Sequence, residues 1–230
     1  MDFPSENLSR AAEPKREYKT IAPRLPDGPI DFTELFPHSD ECELEIGFGK
    51  GASLLERARQ CPKTCLIGIE VKPKLAFQVA ERCRKEGLGN AHVYADDVGH
   101  VIKRSGPSQV LNRVFIHFPD PWWKKKHTKR RVITLSLLDE LARLLKEKGE
   151  LFIQTDVKDR ALDYHSLLMK HPEFELQGAE GWVSVNPFGA PSNREIRAVR
   201  DGLPMWRILA HRKPLSPPAN SAKISAFVLP

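Results

Sequence analysis

The sequence contains no apolar run approaching the roughly 18 to 20 residues that a membrane span needs, so no spanning helix is expected. Its first residues, Met1-Asp2-Phe3-Pro4-Ser5-Glu6, lack the basic and apolar regions of a secretory signal, and the expected compartment is the cytoplasm. Cysteine is scarce, with only Cys42, Cys61, Cys65 and Cys83. Cys61 and Cys65 find no second Cys or His pair to complete a zinc clip, so free thiols and no metal are expected. The Walker pattern is absent, and no glycine cluster matches G-x-G-x-x-G, which disfavours triphosphate and dinucleotide binding. No internal repeat is visible, setting aside solenoid architectures.

What the chain does have is a basic balance: 36 Lys plus Arg against 30 Asp plus Glu give a formal net charge of +6 over 230 residues. An anionic partner is implied. Proline marks off the ends. Residues 1–38 carry Pro4, Pro14, Pro23, Pro26, Pro29 and Pro37 among basic residues without a sustained period, and read as an extended arm that holds no core. Residues 214–230 form a second proline-marked tail, whose apolar stretch 224–229 could dock as a short edge segment.

Between them, in residues 39–213, short apolar runs alternate with amphipathic stretches. Runs at 42–48, 65–71, 91–95, 113–118, 150–155 and 174–176 have strand length, and stretches at 52–60, 73–85, 133–147 and 160–169 have helical spacing. A late strand at 205–211 follows a long connection and is expected antiparallel. The pattern predicts an α/β, doubly wound, mostly parallel sheet with that one late antiparallel strand.

Leu44-Glu45-Ile46-Gly47-Phe48-Gly49-Lys50-Gly51 ends the first of these strands and opens a helix, where Gly47 and Gly49 let the backbone approach a ligand. The next strand ends at Glu70, roughly twenty residues on, the place where doubly wound folds bind ribose hydroxyls. Glu45 precedes the loop, placed for a ligand's ammonium group. Asp97 follows the third strand, where it either lines the same cleft or caps the following helix. An adenosine site is expected.

The fourth strand runs into Phe118-Pro119-Asp120-Pro121-Trp122-Trp123-Lys124, in which two prolines stiffen the backbone on both sides of Asp120. Behind the tryptophans comes a dense basic block that includes Lys126, His127, Thr128, Lys129, Arg130 and Arg131. Stacking faces beside phosphate-neutralising cations suit unpaired RNA. His117, mid-strand, reads as a satisfied core or cleft-wall histidine.

With Gly68-Ile69-Glu70, Asp97 and Thr155-Asp156, these motifs make residues 42–207 resemble the single-chain bacterial tRNA (guanine-N7-)-methyltransferases. The resemblance implies a Rossmann-like class I methyltransferase domain over 39–213, with S-adenosylmethionine as donor, S-adenosylhomocysteine as product and tRNA as partner. No obligate protein partner is implied, and monomer and homodimer both remain open. By the same resemblance Glu45, Glu70, Asp97 and Asp120 contact the donor or lie at the reaction centre, whereas Lys124 and Asp156 face the RNA. The family's late Thr-x-aromatic-Glu motif, near the substrate guanine, corresponds to Ser192-Asn193-Arg194-Glu195, which by the resemblance face the RNA as well, with Arg194 in the aromatic position. Two other readings stay open: a nucleic-acid binder that has lost catalysis, and a methyltransferase for another acceptor.

Overall fold

The structure is a computed structural model that describes residues 17–37, 39, 41–119 and 132–214. In chain order its elements begin with α1 (Tyr18–Ile21), β1 (Ile30–Asp31), α2 (Phe32–Leu35), β2 (Glu41–Ile46), α3 (Ala52–Gln60), β3 (Thr64–Glu70), α4 (Pro73–Glu86) and β4 (Ala91–Ala95). They continue with α5 (Val98–Lys103), β5 (Ser105–Gly106), β6 (Leu111–His117), α6 (Leu135–Leu144), β7 (Leu145–Thr155), α7 (Lys158–Lys170), β8 (Phe174–Leu176), α8 (Asn193–Arg200) and β9 (Trp206–Arg212).

One seven-stranded sheet has the order β4-β3-β2-β6-β7-β9-β8. Its first five strands pair in parallel, and β9 inserts antiparallel between β7 and β8, as expected from the late run. Side chains alternate across it. Leu44, Ile46, Ile67, Ile69, Leu151, Ile153 and Ile208 share one buried cluster with Val101 and Ile102 of α5, Leu137, Leu138 and Leu141 of α6, and Leu168 of α7. On the other face Leu54, Leu55 and Ala58 of α3 and Ala76 and Val79 of α4 pack on Leu66 and Val93. This is the two-sided helical cover that a doubly wound sheet requires.

Two expectations are corrected. The arm does hold core, because Ala22, Leu25, Ile30 and Phe32 are buried, the last three in the cluster of the main sheet. Pro23 accepts from the Ala95 N–H at 2.7 Å, and β1 pairs in parallel with β5. Isolated apolar anchors between prolines show no period, yet each joins a buried cluster, Ala22 that of α3 and α4 and the other three that of the opposite face. The helix expected over 133–147 stops at Leu144, since the carbonyls of Arg143 and Leu144 accept from Gln109 and Val110 at 2.9 Å instead of closing another turn. The remaining turn becomes the start of β7. Residues 224–229 lie outside the described residues. Among the described residues no helix is long and apolar enough to cross a membrane.

Because Phe32 is 2% exposed and belongs to the main cluster, Phe32→Ala should destabilise the full chain by about 3 to 5 kcal/mol in urea unfolding. A change within about 0.5 kcal/mol would mean that this segment rests on the surface.

Candidate active site

Parallel pairing brings the candidate residues to one edge. Ile46 is level with Ile69 and with Ile116, Glu70 with Ala95, and Ile116 with Ile153, so the loops after β2, β3, β4, β6 and β7 emerge side by side. Ligands of open α/β sheets bind at such carboxyl ends.

The loop after β2 turns through Gly47, Gly49 and Gly51, all with positive φ. A Cβ on Gly49 would meet nothing within 4 Å, so the glycine is there for its backbone conformation and leaves open space above the loop. Gly51 is constrained differently: a Cβ there would lie 2.8 Å from Val79 of α4, so its absence lets the start of α3 pack close. Glu70 fastens the loop, accepting from Gly49 N at 3.0 Å through Oε2 and from Lys72 N at 3.0 Å through Oε1. Asp97 caps α5 through Oδ1, accepting from Gly99 N at 2.8 Å and His100 N at 3.3 Å. It also lines a cavity of about 360 Å³ between α5 and α6, together with Val98, Thr134 and Glu140.

Beneath the loop, Glu45 is 3% exposed and has no hydrogen-bond partner among the described residues. It shares a void of about 10 Å³ with Ser53, Arg57, Phe115, His117, Asn186 and Phe188. Burial alone pushes its carboxyl up to about 8, so it is mostly protonated at neutral pH. His117 is buried as expected, between Ser53 Oγ at 3.1 Å and Gln154 at 2.7 Å. Burial lowers its pKa to about 4, against a smaller upward pull from Glu195.

Farther along the same edge, Asp156 follows β7 and receives both Nε (2.9 Å) and Nη2 of Arg194 on its Oδ2. Ser192 caps α8, accepting from Glu195 N at 3.2 Å, and Asn193 opens that helix. Glu195, expected to face RNA, is instead buried: Gln154 and Asn186 donate to Oε2 at 2.8 and 3.1 Å, and Arg207 to Oε1 at 3.2 Å. The reason is that helical spacing turns position 195 inward once Ser192 caps α8. Asp120, Lys124, Lys126, His127, Thr128, Lys129, Arg130 and Arg131 lie outside the described residues.

Sequence reasoning misses Ser53, Gln154, Asn186 and Arg207 as parts of the site's floor. For Gln154 and Arg207 the local signal is a polar residue at the matching end of an otherwise apolar strand, as in Phe152-Ile153-Gln154, whereas Ser53 on α3 and Asn186 in the connection before α8 carry none.

A seven-stranded sheet of this order, with a glycine loop fastened to a carboxylate at the end of the next strand, defines a Rossmann-like class I methyltransferase. The family model described as "Putative methyltransferase" matches residues 39–208. The tRNA (guanine-N(7)-)-methyltransferase of Nitrosococcus oceani is 37% identical over 182 residues, covering 79% of this chain and 76% of its own. That of Microcystis aeruginosa is 32% identical over 190 residues, covering 81% and 90%. Among solved structures, the 16S rRNA methyltransferase KamB aligns with a TM-score of 0.58 at 14% identity, covering 80% of this chain and 93% of that one. A SAM-dependent methyltransferase from Aquifex aeolicus aligns at 0.53 and 15% identity, covering 78% and 86%. The chain belongs to the tRNA (guanine-N7-)-methyltransferase family.

Glu45 and His117 pull stability in opposite directions with pH. The raised Glu45 pKa means that the native state keeps a proton the unfolded chain releases near 4.5, so its contribution is full below that pH and is lost as pH rises towards 8. The depressed His117 pKa does the reverse, its contribution being present above 6.5 and lost as pH falls towards 4. Glu45→Gln should therefore gain stability relative to the parent between pH 4.5 and 8, measured as the difference between their urea-unfolding free energies. A pH-independent difference would place an ionised carboxylate at position 45.

Proposed function

We propose that this chain transfers a methyl group from S-adenosylmethionine to N7 of a guanine in the tRNA variable loop, releasing S-adenosylhomocysteine, in the cytoplasm. Family membership over most of the chain carries this reading. The cleft fits the donor: Gly47 and Gly49 leave room above the loop, and Glu70 keeps lone pairs beyond the two N–H bonds it already accepts. Those lone pairs suit the ribose hydroxyls. Asp97 spends Oδ1 on its cap and has Oδ2 for the ligand, and Glu45 lies under the loop as the carboxyl that an ammonium group would draw into its charged form.

Bound there, S-adenosylmethionine supplies an electrophilic methyl carbon on a sulfonium. Guanine N7 already carries an exposed lone pair, so no proton has to be removed from it. The chain's task is positioning. Asp120 accepts from the base's N–H edge and offsets the positive charge that builds on the alkylated ring, and a general-base role is not needed. Lys124, Lys126, His127, Thr128, Lys129, Arg130 and Arg131 neutralise RNA phosphates. Asp156, Ser192, Asn193 and Arg194 stand on the acceptor side, with the guanidinium of Arg194 as a plane on which a base can stack.

Incubation with tRNA and isotopically labelled donor, followed by mass analysis of the nucleosides, should yield labelled 7-methylguanosine. Label in another nucleoside, or none in RNA, rejects the proposal. Asp120→Asn should slow single-turnover methylation by at least about a hundredfold while leaving tRNA affinity nearly unchanged. Replacing Lys129, Arg130 and Arg131 together with Ala should weaken tRNA binding. The slope of log K against log[salt] should also fall, by about 0.7 to 0.9 for each phosphate no longer neutralised. Parent affinity and slope in that variant would reduce the block to a solvated face.

A further inference from the structure

Three strands present matching residues on the face that α3 covers. His117 of β6 is level with Gln154 of β7, which is level with Arg207 of β9. Two residues down, the same strands place Phe115, Phe152 and Leu209 in line, and Phe188 packs edge-on against both phenylalanines. Apolar side chains therefore fill this face well at one level, and a polar row at the next is not something packing demands. Gln154 is 0% exposed, and burying such groups costs free energy unless every bond is made.

Here the bonds are made. The Gln154 amide nitrogen donates to His117 Nδ1 at 2.7 Å and to Glu195 Oε2 at 2.8 Å, and its oxygen accepts from Arg207 Nε at 3.2 Å. Arg207 also donates to Glu195 Oε1 at 3.2 Å and to the Ser184 carbonyl at 2.8 Å. Because Nδ1 of His117 accepts, the hydrogen-bond pattern assigns its proton to Nε2, which donates to Ser53 Oγ at 3.1 Å. The row thus starts on α3, the helix opened by the glycine loop, and ends on α8, one residue beyond Arg194.

We infer that His117, Gln154, Arg207 and Glu195 are positioning residues that hold α8, and with it the acceptor-side Arg194, in fixed geometry to the donor loop. Directional bonds set that geometry where apolar packing would let the helix slide. What α8 faces rests on the function proposed above; that the row holds α8 does not.

The test exchanges donor and acceptor. Gln154→Glu sets a carboxylate against Glu195 and removes both N–H donors. The double variant Gln154→Glu with Glu195→Gln restores the bond between positions 154 and 195 with its polarity reversed, although Asn186 loses the acceptor it has on Glu195 Oε2. The amide introduced at position 195 donates to the carboxylate introduced at position 154, Arg207 still spans both groups, and His117 moves its proton to Nδ1. In the single variant, amides 193–200 should exchange hydrogen at least about tenfold faster, with α3 and α4 amides and S-adenosylhomocysteine affinity near parent values. Single-turnover methylation should slow by roughly tenfold to a hundredfold. The double variant should recover part of both losses, short of the parent by what the Asn186 bond contributes. Should Gln154→Glu fail to fold, Gln154→Met removes the same donors at similar shape and is read by the same two measurements. Parent exchange in 193–200, exchange quickened evenly over the whole sheet, or a double variant no better than the single overturns the inference. Hydrogen exchange needs no RNA, so an inactive parent would reject the proposed substrate and leave this test standing.

Discussion

Glu70 ties together the two loops that shape the cleft. One oxygen takes the N–H of Gly49, in the turn after β2, and the other takes that of Lys72, in the turn after β3. A carboxylate that is 6% exposed would be costly without partners, and two charge-assisted bonds to backbone offset that cost. In return the backbone of the glycine loop, which has little steric restraint of its own, is pinned to the end of a buried strand. A ligand meets a cleft whose floor is already set, so less ordering has to accompany binding.

Farther down the same face, charge is handled in another way. Glu43, fully buried, receives both Arg57 and Arg113, and Arg113 also reaches Glu41 and Glu150. Glu45, two residues along the strand, has no cation bonded to it among the described residues and becomes neutral by taking up a proton. Identical side chains on one strand thus carry different charge because one has a guanidinium within hydrogen-bond reach and the other has a void. The difference leaves a carboxyl under the glycine loop whose ionisation is open to change by whatever binds above it.

The fold is legible in the sequence because its signals are local. Period-2 and period-3.6 stretches alternate cleanly from 42 to 176, and the glycine loop with Glu70 twenty-odd residues on is readable without a structure. Less legible are features that depend on register. Nothing around Gln154 says that His117 and Arg207 stand beside it, because cross-strand neighbours are set by pairing between distant segments. Leu25, Ile30 and Phe32 escape notice because anchors separated by prolines have no period to detect. The position of Asp97 is compatible with a cap or a ligand contact, and it holds the cap with one oxygen only. Glu195 shows the limit of motif reading: its place beside Arg194 suggests a shared exposure, and the helix turns the two apart.

The place of β9 also has consequences for how the chain is made. Antiparallel to both neighbours, it lies between β7 and β8, so β8 reaches the sheet only through it. As the chain leaves the ribosome, β2, β3, β4, β6 and β7 can pair in turn, but the outer edge of β7 stays bare until residues 206–212 emerge, well after β7 itself. Leu151, Phe152 and Ile153 then form an open, apolar strand edge of the kind that recruits a strand from another chain. Loss of β9, through an early stop or a cleavage after α8, would leave that edge permanently unpaired, and aggregation in the nascent state would compete directly with folding.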